Sequence, residues 1–307
     1  MRLEEAKQNL DLVISEVRKI VVGQSEMVKD VLVAILTDSH ALLEGYPGLA
    51  KTLTVKTIGS LMDLKFSRIQ NTPDLMPSDI TGTYIVNERR EFKFQPGPIF
   101  ANIVLSDEIN RAPPKVQSAL LEVMQERQVT AGNTTFKLER PFFVLATMNP
   151  LEMEGTFALG EAQADRFLLK IKAQYPSTEE ELEIVERYAE SSNPIKLKPI
   201  MKKETIEYLQ ELTKQVPIAR DIKRYAVDLI RLTRTKKDLI EYGASPRASI
   251  GLILASKARA LMEGRNYVSK EDIKTMAYPV LRHRIILTFE AERNNLTEDD
   301  VIRELLK

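Results

Sequence analysis

The chain has 307 residues, enough for two domains, and is 43% hydrophobic and 29% charged, the make-up of a globular protein with a sizeable core. Lys+Arg and Asp+Glu number 44 each, so no overall charge draws it to nucleic acid or to an anionic membrane. It contains no cysteine and only two histidines, His40 and His283, which excludes disulfides and thiolate metal sites and argues against a histidine metal cluster or a histidine-based triad.

Along the chain, Leu3, Leu10, Val13, Ile14, Val17 and Ile20 recur at helical spacing and predict a helix within residues 1–20. The N-terminus is charged and lacks a signal-peptide apolar core, and no apolar run approaches the ~18 residues of a membrane span. A cytoplasmic location is expected. A second helix is predicted from Ser25, as N-cap, to about Thr37. The short apolar run Ala41-Leu42-Leu43-Glu44 leads into a glycine-containing loop, followed by a helix carrying Leu53, Val55, Ile58 and Leu61. Further buried-strand candidates are residues 101–106, 141–147 and a run starting at Asp165. Between them lie a helix over 115–126 and a hairpin over 127–140 that turns at Gly132-Asn133. Strands alternating with helices imply a parallel sheet covered on both faces. After Pro176 the character changes. Residues 190–201 read as a connector and every segment beyond it as helix, with Ser269/Asp272 and Thr297/Asp300 as capping pairs. The expected division is a core of residues 1–177 and a helical domain of 178–307.

The loop Gly45-Tyr46-Pro47-Gly48-Leu49-Ala50-Lys51-Thr52 nearly matches the phosphate-binding pattern G-x-x-x-x-G-K-[ST]. Such a loop turns backbone N–H groups toward phosphates, its Lys reaches the β and γ phosphates, and its Thr hydroxyl holds Mg²⁺. Ala50 stands where the second Gly is expected, and lacking glycine's freedom it is expected at an ordinary backbone angle. ATP hydrolysis also needs a metal-binding acid, a base and positive charge at the γ-phosphate. Asp107 follows an Ile-Val-Leu strand and is the second Mg²⁺ ligand beside Thr52. Glu108 is the base for the attacking water, and Asn149 at another strand tip can hydrogen-bond that water or the γ-phosphate. Arg166 is a candidate arginine finger, and Arg247, opening a long helix, a cation able to reach the nucleotide from the second domain. The nucleotide-binding set is Gly45 to Leu53 with Asp107 and Arg247.

In this order these residues resemble the AAA+ ATPases, and more narrowly the MoxR family. The likeness rests on the loop with its Ala50, on Thr72-Pro73-Asp74-Leu75-Met76-Pro77-Ser78-Asp79, and on Pro96-Gly97-Pro98-Ile99. It extends through Asp107-Glu108-Ile109-Asn110-Arg111-Ala112-Pro113-Pro114, Asp165-Arg166-Phe167 and Ser245-Pro246-Arg247. The resemblance implies a P-loop NTPase α/β fold, a parallel sheet sandwiched by helices, followed by a smaller all-helical lid. It implies that Asn149 is sensor 1, Arg166 a trans-acting finger and Arg247 sensor 2. Val22, Gly23 and Gln24 would cup the adenine. Residues 72–98 would be the helix-2 insert and 127–140 the hairpin before sensor 1. It further implies ATP and Mg²⁺ as cofactors, a hexameric ring, and chaperone-like remodelling of, or cofactor insertion into, a client. A partner with a von Willebrand A domain is also implied. Asn71 and Ser106 depart from the family pattern and are expected to touch none of these roles.

Two other readings share the loop. A nucleotide-gated binding module does not need Glu108, Asn149 and Arg166 together. A DNA or RNA translocase fits poorly with 6% aromatics, no Trp and zero net charge, because stacking platforms are scarce.

Overall fold

The computed structural model describes residues 3–86, 88, 90–150, 156–190 and 197–307. The chain opens with α1 (Leu3–Arg18), α2 (Ser25–Leu36), β1 (Ala41–Glu44), α3 (Lys51–Leu61) and β2 (Phe66–Gln70). A short α4 (Pro77–Thr81) and the hairpin β3 (Gly82–Val86)/β4 (Phe92–Pro96) follow. Next come β5 (Ile103–Asp107), α5 (Pro114–Glu126), the hairpin β6 (Gln128–Ala131)/β7 (Thr134–Lys137) and β8 (Phe143–Met148). A one-turn α6 (Glu161–Ala164) leads to β9 (Leu169–Lys172) and α7 (Thr178–Val185). The C-terminal part comprises α8 (Lys203–Gln215), α9 (Arg220–Thr235), β10 (Ile240–Tyr242), α10 (Pro246–Met262), α11 (Lys270–Leu281), β11 (Ile286–Leu287), α12 (Phe289–Arg293) and α13 (Glu298–Leu305).

Five strands form one parallel sheet in the order β2-β5-β8-β1-β9. The central strands are unbroken apolar runs because both faces are covered. Successive side chains alternate between two cores, as a period of two requires. Ala41, Leu43, Ile103, Leu105, Phe143 and Leu145 pack with α1, α2, α3 and the C-terminal helices. Leu42, Val104, Val144 and Ala146 pack on the other side with α5. Each fully buried Leu, Ile or Phe contributes about 1.5–3 kcal/mol, so the register is strongly specified.

Parallel pairing fixes where function can sit. β1, β8 and β5 are neighbours and point the same way, with Glu44 opposite Met148 and Ser106 opposite Ala146. The loops after Glu44, Asp107 and Met148 therefore emerge side by side at the carboxyl edge of the sheet, where open α/β sheets bind ligands.

Three expectations change. Ser25 is the first helical residue of α2, not its cap: Gln24 holds the cap position and makes no side-chain cap bond. The run starting at Asp165 becomes strand only at Leu169, after the turn that ends α6. The C-terminal part is not helical throughout, because β10 and β11 form a small antiparallel ribbon. Strands of three and two residues are too short to show a period. The predicted caps do form: Ser269 and Thr297 exchange bonds with Asp272 and Asp300. Residues 191–196 of the expected connector lie outside the described residues.

His40 fastens the start of β1. Its Nδ1 accepts the Val144 N–H at 2.9 Å, so its Nε2–H donates to the Met124 carbonyl at 3.0 Å. Burial pushes its pKa down to about 4, outweighing the Met124 bond, which raises it. A base whose pKa falls on folding is protonated first in the unfolded chain. Its contribution is therefore whole above about 6.5 and is lost as pH falls toward 4. The loss over that window is expected to be roughly 3 kcal/mol. Urea unfolding across pH for wild type and His40→Gln checks this. The variant should start less stable at neutral pH and lose less on acidification, whereas parallel curves would refute the assignment.

Candidate functional site

The phosphate-type loop runs from the end of β1 into α3. Gly48 has φ +85, and a Cβ there would meet nothing within 4 Å, so backbone angle rather than crowding calls for glycine. Gly45 is the opposite case, since a Cβ would come within 2.8 Å of the Ala173 Cβ. Ala50 overturns its expectation: it sits in the left-handed region at φ 54, ψ 20, at the N-cap of α3. The chain must turn abruptly there to start the helix, and Ala meets the turn that glycine would make more easily. The first helical bond runs from Thr54 N–H to Ala50 O, so the amides before it belong to the open helix end, where anions bind. The Lys51 ammonium donates to the Gly45 carbonyl at 2.5 Å, folded back over the loop it would serve.

Across the cleft, Asp107 ends β5 with its side chain only 14% exposed. Its Oδ1 accepts the Thr147 hydroxyl at 2.6 Å. Its Oδ2 accepts Arg68 Nε at 3.0 Å and Nη2 at 2.5 Å. Glu108 takes a left-handed backbone (φ 56), donates its N–H to Thr147 Oγ1 at 2.8 Å and pairs with Arg111 at 3.2 Å. The fully buried Thr147 thus holds both acids with one hydroxyl.

Lys51, Thr52, Asp107, Glu108 and Asn149 line one cleft of about 360 Å³, together with Pro47, Gly48, Leu49, Ala50 and Leu53. Its donor set is hard oxygen, a hydroxyl and carboxylates, which suits Mg²⁺ completed by phosphate and water. No cluster of three or more His, Cys, Asp or Glu able to hold a metal occurs among the described residues, so no all-protein cage competes with that arrangement. Beside the loop, Tyr46 stacks on Tyr175 at 5.3 Å. Gln24 donates to the Gln174 carbonyl at 2.7 Å, and a Cβ on Gly23 would lie 3.1 Å from Pro176. Gly23 and Gln24 are thereby placed against the segment that carries Tyr175.

Arg166 and Arg247 do not join this cleft. Both are exposed, and they line a second cleft with His40, Met124, Asp165 and Arg284. Asp165 is already taken, by Arg284 Nε at 2.7 Å and the Ser245 hydroxyl at 3.1 Å. Arg166 and Arg247 form no ion pair among the described residues. Leu168 N–H bonds the His40 carbonyl, so this second cleft lies at the amino ends of β1 and β9. The phosphate-type loop lies at the carboxyl end of β1. Four residues of strand separate the two clefts, about 13 Å.

Sequence reasoning missed Arg68, Arg111, Thr147 and Arg284. Thr147 had a signal, a lone hydroxyl at the end of an apolar strand two residues before Asn149. Asn71 and Ser106, expected to be bystanders, are not. The Asn71 amide donates to the Ser106 hydroxyl at 2.8 Å and to the Asp107 carbonyl at 2.7 Å.

Comparison with known proteins adds identity to geometry. Residues 40–169 match the model of the ATPase family associated with various cellular activities (AAA), and residues 232–305 match an AAA lid domain. The chain is 46% identical to "Chaperone MoxR1" of Mycobacterium tuberculosis, over 97% of this chain and 81% of that one. It is 42% identical to the uncharacterized protein YeaC of Bacillus subtilis, over 99% and 95%. "Protein MoxR" of Methylorubrum extorquens is 29% identical over 92% and 90%. A crystal structure of a candidate ATPase from Cytophaga hutchinsonii superposes with a TM-score of 0.93 at 45% identity, covering 99% of this chain and 95% of that one.

At Ala50 two terms oppose each other. Glycine would relieve a left-handed cost of about 1–2 kcal/mol but would return about 0.5–1 kcal/mol of chain entropy. Ala50→Gly is therefore expected to change stability by between zero and about 1.5 kcal/mol in the stabilising direction, and Ala50→Val, β-branched at positive φ, to destabilise. Chemical denaturation of both variants tests the assignment, which fails if valine is tolerated as well as glycine.

Proposed function

This chain belongs to the MoxR family of AAA+ ATPases, and we propose that it hydrolyses Mg–ATP in a hexameric ring of its own copies to remodel, or insert a cofactor into, a client protein. The observation that carries the reading is the single cleft in which Lys51 and Thr52 face Asp107, Glu108 and Asn149.

In this reading the amides of the loop and of the α3 terminus bind the phosphates, and Lys51 moves from the Gly45 carbonyl to the phosphate oxygens. Thr52 and Asp107 would hold Mg²⁺, which when bound neutralises phosphate charge. Glu108 takes the proton of the attacking water, and Asn149 orients that water. Val22, Gly23, Gln24 and Tyr46 flank the base. Hydrolysis moves a lid (178–307) against a core (1–177), and that motion is the output. A von Willebrand A domain protein is the proposed partner and the cytoplasm the proposed location. Among the described residues no helix is long and apolar enough to cross a membrane.

Arg166 and Arg247 serve a neighbour's nucleotide. Their separation from the chain's own cleft by the length of β1 supports this, as does the absence of an ion partner for either among the described residues. An arginine finger adds about 10³–10⁵ in rate, an effect that needs direct approach to the γ-phosphate.

Glu108→Gln is expected to lower turnover by roughly 10²–10⁴ while leaving ATP binding in place, read by phosphate release and equilibrium binding. Near-normal hydrolysis would remove Glu108 from the mechanism. Mixing tests the arginines. Glu108→Gln subunits keep their arginines, and Arg166→Ala subunits keep their acids. Equal mixtures of the two inactive variants should recover up to about a quarter of wild-type turnover, the share of interfaces that pair an intact site with an intact arginine. No recovery would place Arg166 in its own subunit's site.

A further inference from the structure

Among the described residues, Asp107 is the one cleft carboxylate whose two oxygens are both held by protein donors, and the donors differ. Thr147, on Oδ1, is fully buried on a central strand. Arg68, on Oδ2, projects from β2, the edge strand, with its side chain 48% exposed. Gln70, two residues on and on the same strand face, accepts a second bond from Arg68 Nη2 at 2.7 Å. Asp107 lines the cleft while Arg68 does not, so the guanidinium reaches the carboxylate from the sheet edge.

We propose that Arg68 is a latch on the metal site: it competes with hydrated Mg²⁺ for Asp107 Oδ2 and must swing onto Gln70 or into solvent when Mg–ATP is bound. The proposal rests on the nucleotide reading above and adds regulation of that site. A carboxylate oxygen that accepts two guanidinium N–H bonds has little capacity left for a metal-bound water, and the adjacent positive charge also repels a divalent cation. Thr147 does neither. It fixes the carboxylate plane and leaves Oδ2 as the variable oxygen. The exposure of Arg68 sets the size of the effect: half-exposed ion pairs are weak, so the latch raises the magnesium requirement without blocking the site.

The test is equilibrium binding of a fluorescent ATP analogue with Mg²⁺ titrated, for wild type, Arg68→Gln and Arg68→Lys, with free Mn²⁺ followed by electron paramagnetic resonance as a second readout. Arg68→Gln should lower the half-saturating Mg²⁺ about two- to fivefold and take up Mn²⁺ correspondingly earlier, with nucleotide affinity in EDTA equal to wild type. Arg68→Lys, which keeps the charge and loses the paired N–H bonds, should fall between. An unchanged or higher metal requirement in Arg68→Gln, alongside normal binding in EDTA, overturns the latch alone. Wild type that binds no nucleotide at any Mg²⁺ concentration overturns the nucleotide reading and the latch with it.

Discussion

Parallel pairing of β5, β8 and β1 is the constraint from which the rest follows. Because these neighbours run in one direction, the phosphate-type loop, the acid pair and Asn149 must all leave the sheet at one edge. No side chain needs to travel far to build the site. A slip of one residue in β8 would reverse its two faces, driving Phe143 and Leu145 out of one core and Val144 and Ala146 out of the other. It would also carry Thr147 away from Asp107. The hydrophobic pattern thus sets the geometry of the polar site.

The same directionality separates the chemistry into two half-sites. What leaves the carboxyl edge is the cleft proposed above for a triphosphate, and what collects at the amino edge, Arg166 and Arg247 near Arg284, is cationic. Arg284 is almost fully buried. Burial pulls its pKa down, while Asp165 opposes that and keeps the guanidinium paired. The two exposed arginines have no such partner among the described residues. In the ring proposed above, the acids and phosphate loop at one edge would meet, across a heterologous contact, arginines that have no ion pair among the described residues.

Much of this was legible in the sequence, and what was not has physical reasons. Apolar runs located the central strands, because burial on two faces leaves a continuous signal, and Lys51-Thr52 and Asp107-Glu108 stood out as chemistry at strand ends. Ala50 misled because residue type reports an energetic preference, not the angle a tight turn imposes. The position of Arg247 was invisible, since no local pattern says which edge of the sheet a distant helix packs against. Arg68 and Arg111 read as ordinary surface charge, and only pairing of β2 with β5 reveals that Arg68 meets Asp107.

Asn71 and Ser106 show how two separate oddities become one feature in three dimensions. Each departs from the pattern expected of a MoxR sequence, and each is fully buried. A buried amide is costly unless its donors are met, about 1–3 kcal/mol for each group left unsatisfied. Ser106 supplies one acceptor for the Asn71 amide and the Asp107 carbonyl supplies another. The Asn71 main-chain N–H also bonds the Asp107 carbonyl, at 3.1 Å. The Asn71 donors are thereby met while its Oδ1 has no hydrogen-bond partner among the described residues, and the pair grips the backbone of Asp107. From Asn71 the chain continues into α4 and the β3/β4 hairpin, whose Phe94 stacks on Phe136 of the β6/β7 hairpin at 4.2 Å. Asn71 is thus the root of the segment that carries the β3/β4 hairpin, and the Phe94–Phe136 stack ties that hairpin to β6/β7.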